Sequence, residues 1–164
     1  MGRLISVKPQ SPIPAKGTRL LRKGRFSSRN FIYQVSTATA DRMPVFEDFL
    51  FARTVILSMK REDDAGHTET LAFVVMPDHL LWLFQLKSDR SLAGSINTMK
   101  SHATRTINRL SRRQGSLWQK GFYDRAIRRD EDLRAIARYI VANPLRAGIA
   151  RTVAMYPFWD SVWV

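Results

Sequence analysis

Two polar side chains stand at a spacing that would let them reach a shared site, and a third follows a proline turn earlier in the chain. Tyr139 and Asn143 are four residues apart, so on a helix they lie one turn apart on the same flank. His79 follows the turn-forming Pro77 and begins an apolar stretch that is typical of a strand. A phenol and a carboxamide on one edge of a helix can both reach a shared site.

Structural roles account for the same residues on spacing alone. Tyr139 would pack at the edge of the core, and Asn143 would cap the end of a helix before Pro144. In a strand, His79 and Leu81 would share one face, and a single strand histidine is more often structural than a ligand. The residue pattern by itself leaves both interpretations open.

The helix that would carry Tyr139 is the clearest element of the sequence, and we predict it over 130–142. Three acids at 130–132 favour a helix N-terminus, and Pro144 ends the helix. Tyr139 lies about 110° from the centre of the apolar stripe. The stripe, which should face the core, consists of Leu133, Ile136, Ala137 and Ile140.

The rest of the sequence predicts strands and helices without a regular repeat. Alternating apolar residues favour strands, whereas apolar residues at spacings of three and four favour helices. We predict strands over 30–39, 68–76 and 80–86, helices over 46–61 and 91–110, and an extended segment over 116–126. This pattern favours an α+β sandwich in which helices back one antiparallel sheet.

Size and composition exclude several classes of protein. A length of 164 residues fits one domain that can fold without a metal or a disulfide. Cysteine is absent, which excludes thiol chemistry and cysteine zinc sites and is compatible with a reducing compartment. The sequence contains no apolar run long enough for a membrane span and no apolar region of a secretory signal.

The charge of the chain is strongly positive and favours nucleic acid as a partner. Lys and Arg number 27 against 14 Asp and Glu, a formal net charge of +13. The first thirty residues hold eight of these cations, three prolines and no acid. We therefore divide the chain into a flexible basic arm, 1–29, and one domain, 30–164. The candidate phosphate contacts of the arm are Arg19, Arg22, Lys23 and Arg25.

A second basic cluster lies inside the predicted domain. Residues 100–129 hold nine basic groups and the single acid Asp124. Some of the interleaved aromatic residues could stack on unpaired bases, but for Trp118 and Phe122 we favour a place in the core. The candidate phosphate contacts of this cluster are Lys100, Arg105, Arg109, Arg112, Arg113, Lys120 and Arg125.

Three ordered blocks of sequence resemble one known family. They read MPDH at 76–79, LWQKGFYD at 117–124 and RYIVANPLRAG at 138–148. In order and spacing they resemble the REP-associated tyrosine transposases, which belong to the HUH single-strand endonucleases. The resemblance extends from about Asn30 to Trp159. Together with the predicted elements, it leads us to expect a ferredoxin-like α+β sandwich.

The resemblance implies chemistry at a DNA phosphodiester. Tyr139 would attack the phosphate and form a 5′-phosphotyrosine, which leaves a free 3′-hydroxyl. His79 would be the first ligand of a divalent ion, Mg²⁺ or Mn²⁺, and Asn143 would be the third. The family recognises palindromic hairpins flanked by a short single strand, so single-stranded or hairpin DNA is the expected partner.

One position departs from the family pattern. The metal motif is His-x-His, and its second histidine falls on Leu81, which offers no lone pair. His67 and His102 do not lie at the required spacing, and Asp78 would join the site only if the proline turn directs it inward. Two protein ligands should hold a hard ion weakly. The chain is therefore either a DNA nickase and strand transferase or a hairpin-binding protein with weak or lost cleavage.

The remaining expectations concern the surroundings of the site. We expect His79, Tyr139 and Asn143 to converge on a pocket beside a cationic groove. The protein should be cytoplasmic and nucleoid-associated, act without a membrane, and be a monomer or homodimer. An RNA-binding protein is a third alternative, which is disfavoured because the sequence lacks the aromatic strand signature of that class.

Overall fold

The computed structural model describes residues 27–163. The candidate contacts Arg19, Arg22, Lys23 and Arg25 lie outside the described residues, as does the basic arm apart from its last three positions. Within 27–163, no helix combines the length and the apolarity that crossing a membrane requires.

A five-stranded antiparallel sheet forms the centre of the fold. Its strands are β1 (Ile32–Ala38), β2 (Thr68–Met76), β3 (His79–Leu86), β4 (Tyr123–Ala126) and β5 (Trp159–Ser161). The helices are α1 (Phe49–Asp64), α2 (Leu92–Ser111), α3 (Leu133–Val141) and α4 (Asn143–Arg146). The strand order is β4-β1-β3-β2-β5. The succession β1-α1-β2-β3-α2-β4 is the ferredoxin-like arrangement, so the predicted fold class is confirmed.

Helices α1 and α2 cover one face of the sheet and enclose the larger part of the core. Alternate residues of the central strands, such as Val35 and Trp82, are fully buried against them. On α2, Ile96 and Met99 recur at a spacing of three and supply part of its buried side. Asp48 caps α1, because its Oδ1 accepts hydrogen bonds from the first turn of the helix.

Helix α3 covers part of the opposite face. It packs on Ala72, Val74 and Met76 of β2, whereas the alternating Phe73 and Val75 belong to the core under α1 and α2. The predicted apolar stripe is the side of α3 that packs there: Leu133, Ile136, Ala137 and Ile140. The fold therefore has helices on both faces of the sheet, and among the long helices of residues 27–163 only α3 lies on its side.

The extended segment predicted over 116–126 was only partly right. The strand is limited to Tyr123–Ala126, while Trp118 and Phe122 turn into the core at 4% and 8% exposure. Gly121, with φ +81°, permits the change of direction before the strand begins. Burial of these two aromatic side chains thus prevents the segment from remaining extended before Tyr123.

The three acids predicted in the first turn of α3 precede the helix instead. Asp132 is the N-cap, and its Oδ1 accepts hydrogen bonds from the backbone N–H groups of Arg134 and Ala135 at 2.9 and 3.1 Å. Glu131 accepts the backbone N–H of Arg128 at 2.9 Å and pairs with Arg125. One acid therefore starts the helix, and another closes the loop in front of it.

Candidate active site

The turn between β2 and β3 presents His79 at the edge of α3's face. Met76 and His79 are paired across the turn, so the two share a face, and Met76 packs under α3. The backbone carbonyl of Pro77 accepts the N–H of Phe46, and that of Asp78 accepts the N–H of Thr39, both at 2.9 Å. The turn is thus fixed to two other segments of the chain.

Asp78 orients the imidazole of His79. It belongs to the turn rather than the strand, and its Oδ1 lies 2.7 Å from Nδ1 of His79. Its Oδ2 lies 3.1 Å from Nε of Arg42. Burial lowers the pKa of His79, and the Asp78 carboxylate opposes that shift. With Nδ1–H donating to the carboxylate, the lone pair of Nε2 is left for a ligand.

Leu81 lies on the same face as His79 and has no donor atom for an ion. Its half-buried side chain packs among the apolar residues under α3. His67 and His102 are committed elsewhere, through contacts of Nδ1 with Ser88 at 2.9 Å and with Ser58 at 2.8 Å. Within the described chain, no three His, Cys, Asp or Glu residues form a group that could hold a metal.

Tyr139 projects from α3 into solvent and is held by an arginine. Its side chain is 48% exposed. The guanidinium of Arg146 stacks on the ring, with its central carbon 3.8 Å from the ring centroid. The same guanidinium donates to the backbone carbonyl of Tyr139 at 2.7 Å. Sequence reasoning missed Arg146, because the predicted helix ended before Pro144, whereas the short helix α4 follows and carries Arg146 to the ring.

Asn143 combines the capping role with an open acceptor. Its Nδ2 donates to the backbone carbonyls of Ile140 and Tyr139 at 3.0 and 3.2 Å. With the amide nitrogen directed at the helix, Oδ1 is the atom turned away from it. The structural and ligand interpretations of Asn143 are therefore compatible, because they use different atoms of one amide.

The strands and α3 fix how these groups are arranged along the sheet. Leu133, the first residue of α3, lines a cavity with Ile32, which is paired with Gln85 at the end of β3 remote from His79. Tyr139 lies near the other end of α3. His79 lies on the face of β3 that packs under α3, and Tyr139 and Asn143 lie on α3 and at the start of α4. All three residues therefore belong to the same face of the sheet.

Lys100 corrects one of the predicted phosphate contacts. The residue is 9% exposed, and its ammonium donates to the carbonyls of Gln119 and Gly121 at 3.0 and 2.8 Å. Burial lowers the pKa of Lys100 to about 8. Trp118 and Phe122 are likewise core residues rather than exposed platforms for bases. These side chains hold the segment before β4 against α2.

The other basic candidates divide between the two faces of the sheet. Arg105 and Lys120 line a 710 Å³ cleft between α2 and the segment before β4. Arg125 lies on the α3 face, where its guanidinium pairs with Glu131 and contacts Gln34. The exposed candidates at the end of α2 are Arg109, Arg112 and Arg113. Of these basic candidates, Arg105 and Lys120 therefore lie in a cleft on the α2 side, whereas Arg125 is paired on the α3 face.

Comparison with known proteins places the chain among transposases. A family model described as IS200-like transposase matches residues 27–143. This span is more than half of the chain and includes His79, Tyr139 and Asn143. The chain belongs to the IS200-like transposase family.

Two curated relatives point to one branch of that family. A candidate REP-associated tyrosine transposase of Haemophilus influenzae is 33% identical over 100 residues, covering 55% of this chain and 57% of the relative. The REP-associated tyrosine transposase of Escherichia coli is 28% identical over 107 residues, covering 65% and 60%. The chain therefore resembles this branch and spans less than two thirds of either relative.

Solved structures share the fold. A REP-associated tyrosine transposase bound to a REP hairpin superposes with a TM-score of 0.67 and 23% identity, over 82% of this chain and 79% of that one. A candidate transposase from Deinococcus radiodurans gives a TM-score of 0.52 and 20% identity, over 74% and 96%. At these identities the match concerns the fold alone.

Proposed function

We propose that the chain binds hairpin DNA with a single-stranded flank and nicks it through Tyr139. The observation that carries the proposal is an exposed phenol, fixed by Arg146, on the same sheet face as an imidazole oriented by Asp78. Membership of a transposase family and similarity to REP-associated relatives support DNA as the substrate. The strong positive charge supplies affinity for its phosphates.

The proposed reaction is a phosphoryl transfer to tyrosine. The oxygen of Tyr139 bonds to phosphorus, and its proton passes to solvent. The bond from phosphorus to the 3′ oxygen breaks, and that oxygen leaves as a hydroxyl after taking up a proton. The 5′ phosphate remains covalently on the enzyme, where it keeps the bond energy for rejoining to another 3′ end.

The donor atoms present fit a weakly held divalent ion, Mg²⁺ or Mn²⁺. Nε2 of His79 and Oδ1 of Asn143 would hold it. Water would take the place of the second histidine ligand, which Leu81 replaces in this chain. When bound, such an ion supplies charge neutralisation at the scissile phosphate. Asp78 would act through His79, by keeping the proton on Nδ1.

A second candidate function is hairpin binding without efficient cleavage. The observation that favours it is the apolar Leu81 at the position of the second histidine, packed among core residues. DNA binding depends on the basic surfaces and not on this ligand. Under this alternative the chain holds its hairpin but forms little covalent product.

A covalent-capture assay separates the two functions. Protein is incubated with Mn²⁺ and a labelled hairpin oligonucleotide whose cleavage traps the product, and denaturing gels detect protein-linked DNA. Nicking by the wild type should give a weak band, whereas hairpin binding alone should give none, and in both cases we expect a clear gain for Leu81→His. Adding Tyr139→Phe to that variant should remove the band.

The matched control is the other exposed tyrosine on the same sheet face. Tyr123 is 49% exposed, so Tyr123→Phe in the Leu81→His background should keep the band. A band that survives Tyr139→Phe would overturn the assignment of the nucleophile. Hairpin binding without a band in every variant would favour the second function.

Sedimentation of the free and DNA-bound protein tests the predicted monomer or homodimer.

A further inference from the structure

A polar contact joins α1 and α2 on the side of the sheet opposite α3. Nδ1 of His102, on α2, lies 2.8 Å from Oγ of Ser58, on α1. The hydroxyl of Ser58 donates its proton to the backbone carbonyl of Thr54 at 2.7 Å. That hydroxyl therefore offers a lone pair to the imidazole, so Nδ1 is the ring nitrogen that carries a proton. In the neutral ring, Nε2 is then left with a bare lone pair.

Three exposed arginines surround this histidine. Arg61 comes from the last turn of α1, three residues after Ser58. Arg105 and Arg109 follow His102 on α2 at spacings of three and seven residues, which place them on the same side of the helix. Burial lowers the pKa of His102, and the charges of the three arginines lower it further.

The charge of this cluster is not compensated by carboxylates. In the part of the chain that the structure describes, none of the three guanidiniums is paired with an acid. The acids at the end of α1 are bound elsewhere. Glu62 is held by Arg90, Asp63 by the threonines of β2, and Asp64 by Lys60. The seam between α1 and α2 therefore attracts an anion.

The imidazole and the guanidiniums place different demands on that anion. A guanidinium has only donors, and an ionised phosphate oxygen has only lone pairs, so the two match at every pH. The same oxygen approaching Nε2 of neutral His102 would meet a second lone pair. This contact forms only when Nε2 carries a proton. A bound phosphate in turn stabilises the imidazolium, because its charge opposes that of the arginines.

From this geometry we propose that the seam between α1 and α2 is a proton-linked site for one phosphate of the DNA backbone. Phosphate binding and proton uptake by His102 favour each other, so the affinity for DNA rises as the pH falls through the range in which His102 titrates. The inference rests on the proposed function, because it takes DNA as the source of the phosphate. The site concerns binding and not the chemistry at Tyr139, since it lies on the opposite face of the sheet.

Proton uptake on binding tests the site without requiring cleavage. Isothermal titration calorimetry of a hairpin oligonucleotide at about pH 6.5, without divalent ions and in two buffers of different ionisation enthalpy, counts the protons taken up. His102→Gln should take up about half a proton less than the wild type. Between about pH 7.5 and 5.5, the wild type should gain about tenfold more affinity than this variant. His67→Gln is the matched control, because His67 likewise contacts a serine through Nδ1 and should keep the wild-type values.

Two calorimetric outcomes would overturn the site. The first is an equal proton uptake by the wild type and His102→Gln, and the second is an equal loss of uptake in both histidine variants. In either case hairpin binding itself would stand. A wild type that binds no hairpin at any pH would instead contradict the proposed function together with this site.

A salt titration tests the arginines independently of His102. Arg61→Ala should lower the magnitude of the log–log salt slope of hairpin binding by about 0.9, which is one duplex phosphate contact. Arg53→Ala, an exposed arginine earlier on the same helix, is the matched control and should leave the slope unchanged. An unchanged slope for Arg61→Ala, or an equal change for both variants, would exclude a phosphate at the seam. Thermal unfolding of each variant confirms that it is folded.

Discussion

The ring of Tyr139 is fixed on one side by a guanidinium that also binds the residue's own carbonyl. The two contacts of Arg146 restrict the ring even though its side chain is half exposed. An exposed tyrosine would otherwise exchange rapidly between rotamers. A nucleophile that is already positioned loses less entropy when the phosphate arrives.

Replacing Arg146 should therefore slow covalent capture more than it weakens DNA binding. In the Leu81→His background, we expect Arg146→Ala to reduce the rate of adduct formation about fivefold, corresponding to about 1 kcal/mol for the stacking and hydrogen bond. Arg138→Ala, also an exposed arginine on α3, is the control. Equal losses in hairpin affinity for both variants would indicate a general charge effect instead.

The buried ammonium of Lys100 predicts a stability that depends on pH. Its pKa is lowered to about 8 by burial, so between about pH 8 and 10.5 the unfolded chain binds more protons at this residue than the folded one. The free energy of unfolding should therefore rise with pH in that window, by at most about 1.4 kcal/mol per pH unit from this group.

Urea unfolding of the wild type and of Lys100→Met, measured from pH 7.5 to 9.5, checks this prediction. The unfolding free energy of the wild type minus that of Lys100→Met should increase as the pH rises. A constant difference would mean that Lys100 keeps an ordinary pKa in the fold. The upper limit avoids the titration of Tyr156, whose pKa is raised by burial to about 12.

At the scale of the elements, the N-cap of α3 contributes to the stability of the helix that holds Tyr139. Asp132→Ala removes the acceptor of two backbone hydrogen bonds and should lower the free energy of unfolding by about 1 kcal/mol. Asp130→Ala is the matched control, because that side chain is 78% exposed and only weakly paired with Arg128. Equal losses in the two variants, measured by urea unfolding, would contradict the capping role.

The sequence predicted the elements better than it predicted their surroundings. The predicted strand matches β2 over its full length, although residues 72–76 are buried on both faces and do not alternate between core and solvent. The three-residue β5 was missed, since a strand that short is defined by its pairing with β2 and not by its own pattern. The apolar stripe of α3 was identified correctly, but a stripe does not specify which face of a sheet it covers.

The same limit applies to the candidate site. Spacing and resemblance singled out Tyr139 and Asn143 as neighbours one helical turn apart, whereas the structure places Tyr139 on α3 and Asn143 at the start of α4. The contact of Asp78 with His79 depends on a two-residue turn, which an alternation argument cannot resolve. Counting charges treated Lys100 as surface, because the carbonyls that bind its ammonium come from a segment about twenty residues later. Long-range partners of this kind are invisible to local pattern.

At the scale of the whole molecule, the charge of +13 predicts a steep salt dependence of DNA binding. For about six phosphate contacts, the log–log slope should be about −4 on single strands. Arg105→Ala with Lys120→Ala should reduce its magnitude by about 1.4, because both residues line the open cleft beside α2. Lys100→Met should leave the slope unchanged, since that ammonium is bound to carbonyls.

Titrations of a fluorescent oligonucleotide at several salt concentrations provide this measurement. A slope near zero would remove electrostatics as the source of affinity. A large change in slope for Lys100→Met would return that residue to the set of phosphate contacts. Competition between DNA and RNA hairpins in the same assay tests the substrate class, and a preference for RNA would contradict it.

The anchoring of the β2–β3 turn has a consequence for the Leu81→His variant. Because Thr39 and Phe46 each hold one carbonyl of the turn, the backbone leading into Leu81 is already rigid before any ligand arrives. A histidine introduced at position 81 would therefore be held by a backbone that is already fixed in place. If the proposed metal site is correct, what the chain lacks at Leu81 is a functional group and not a suitable backbone.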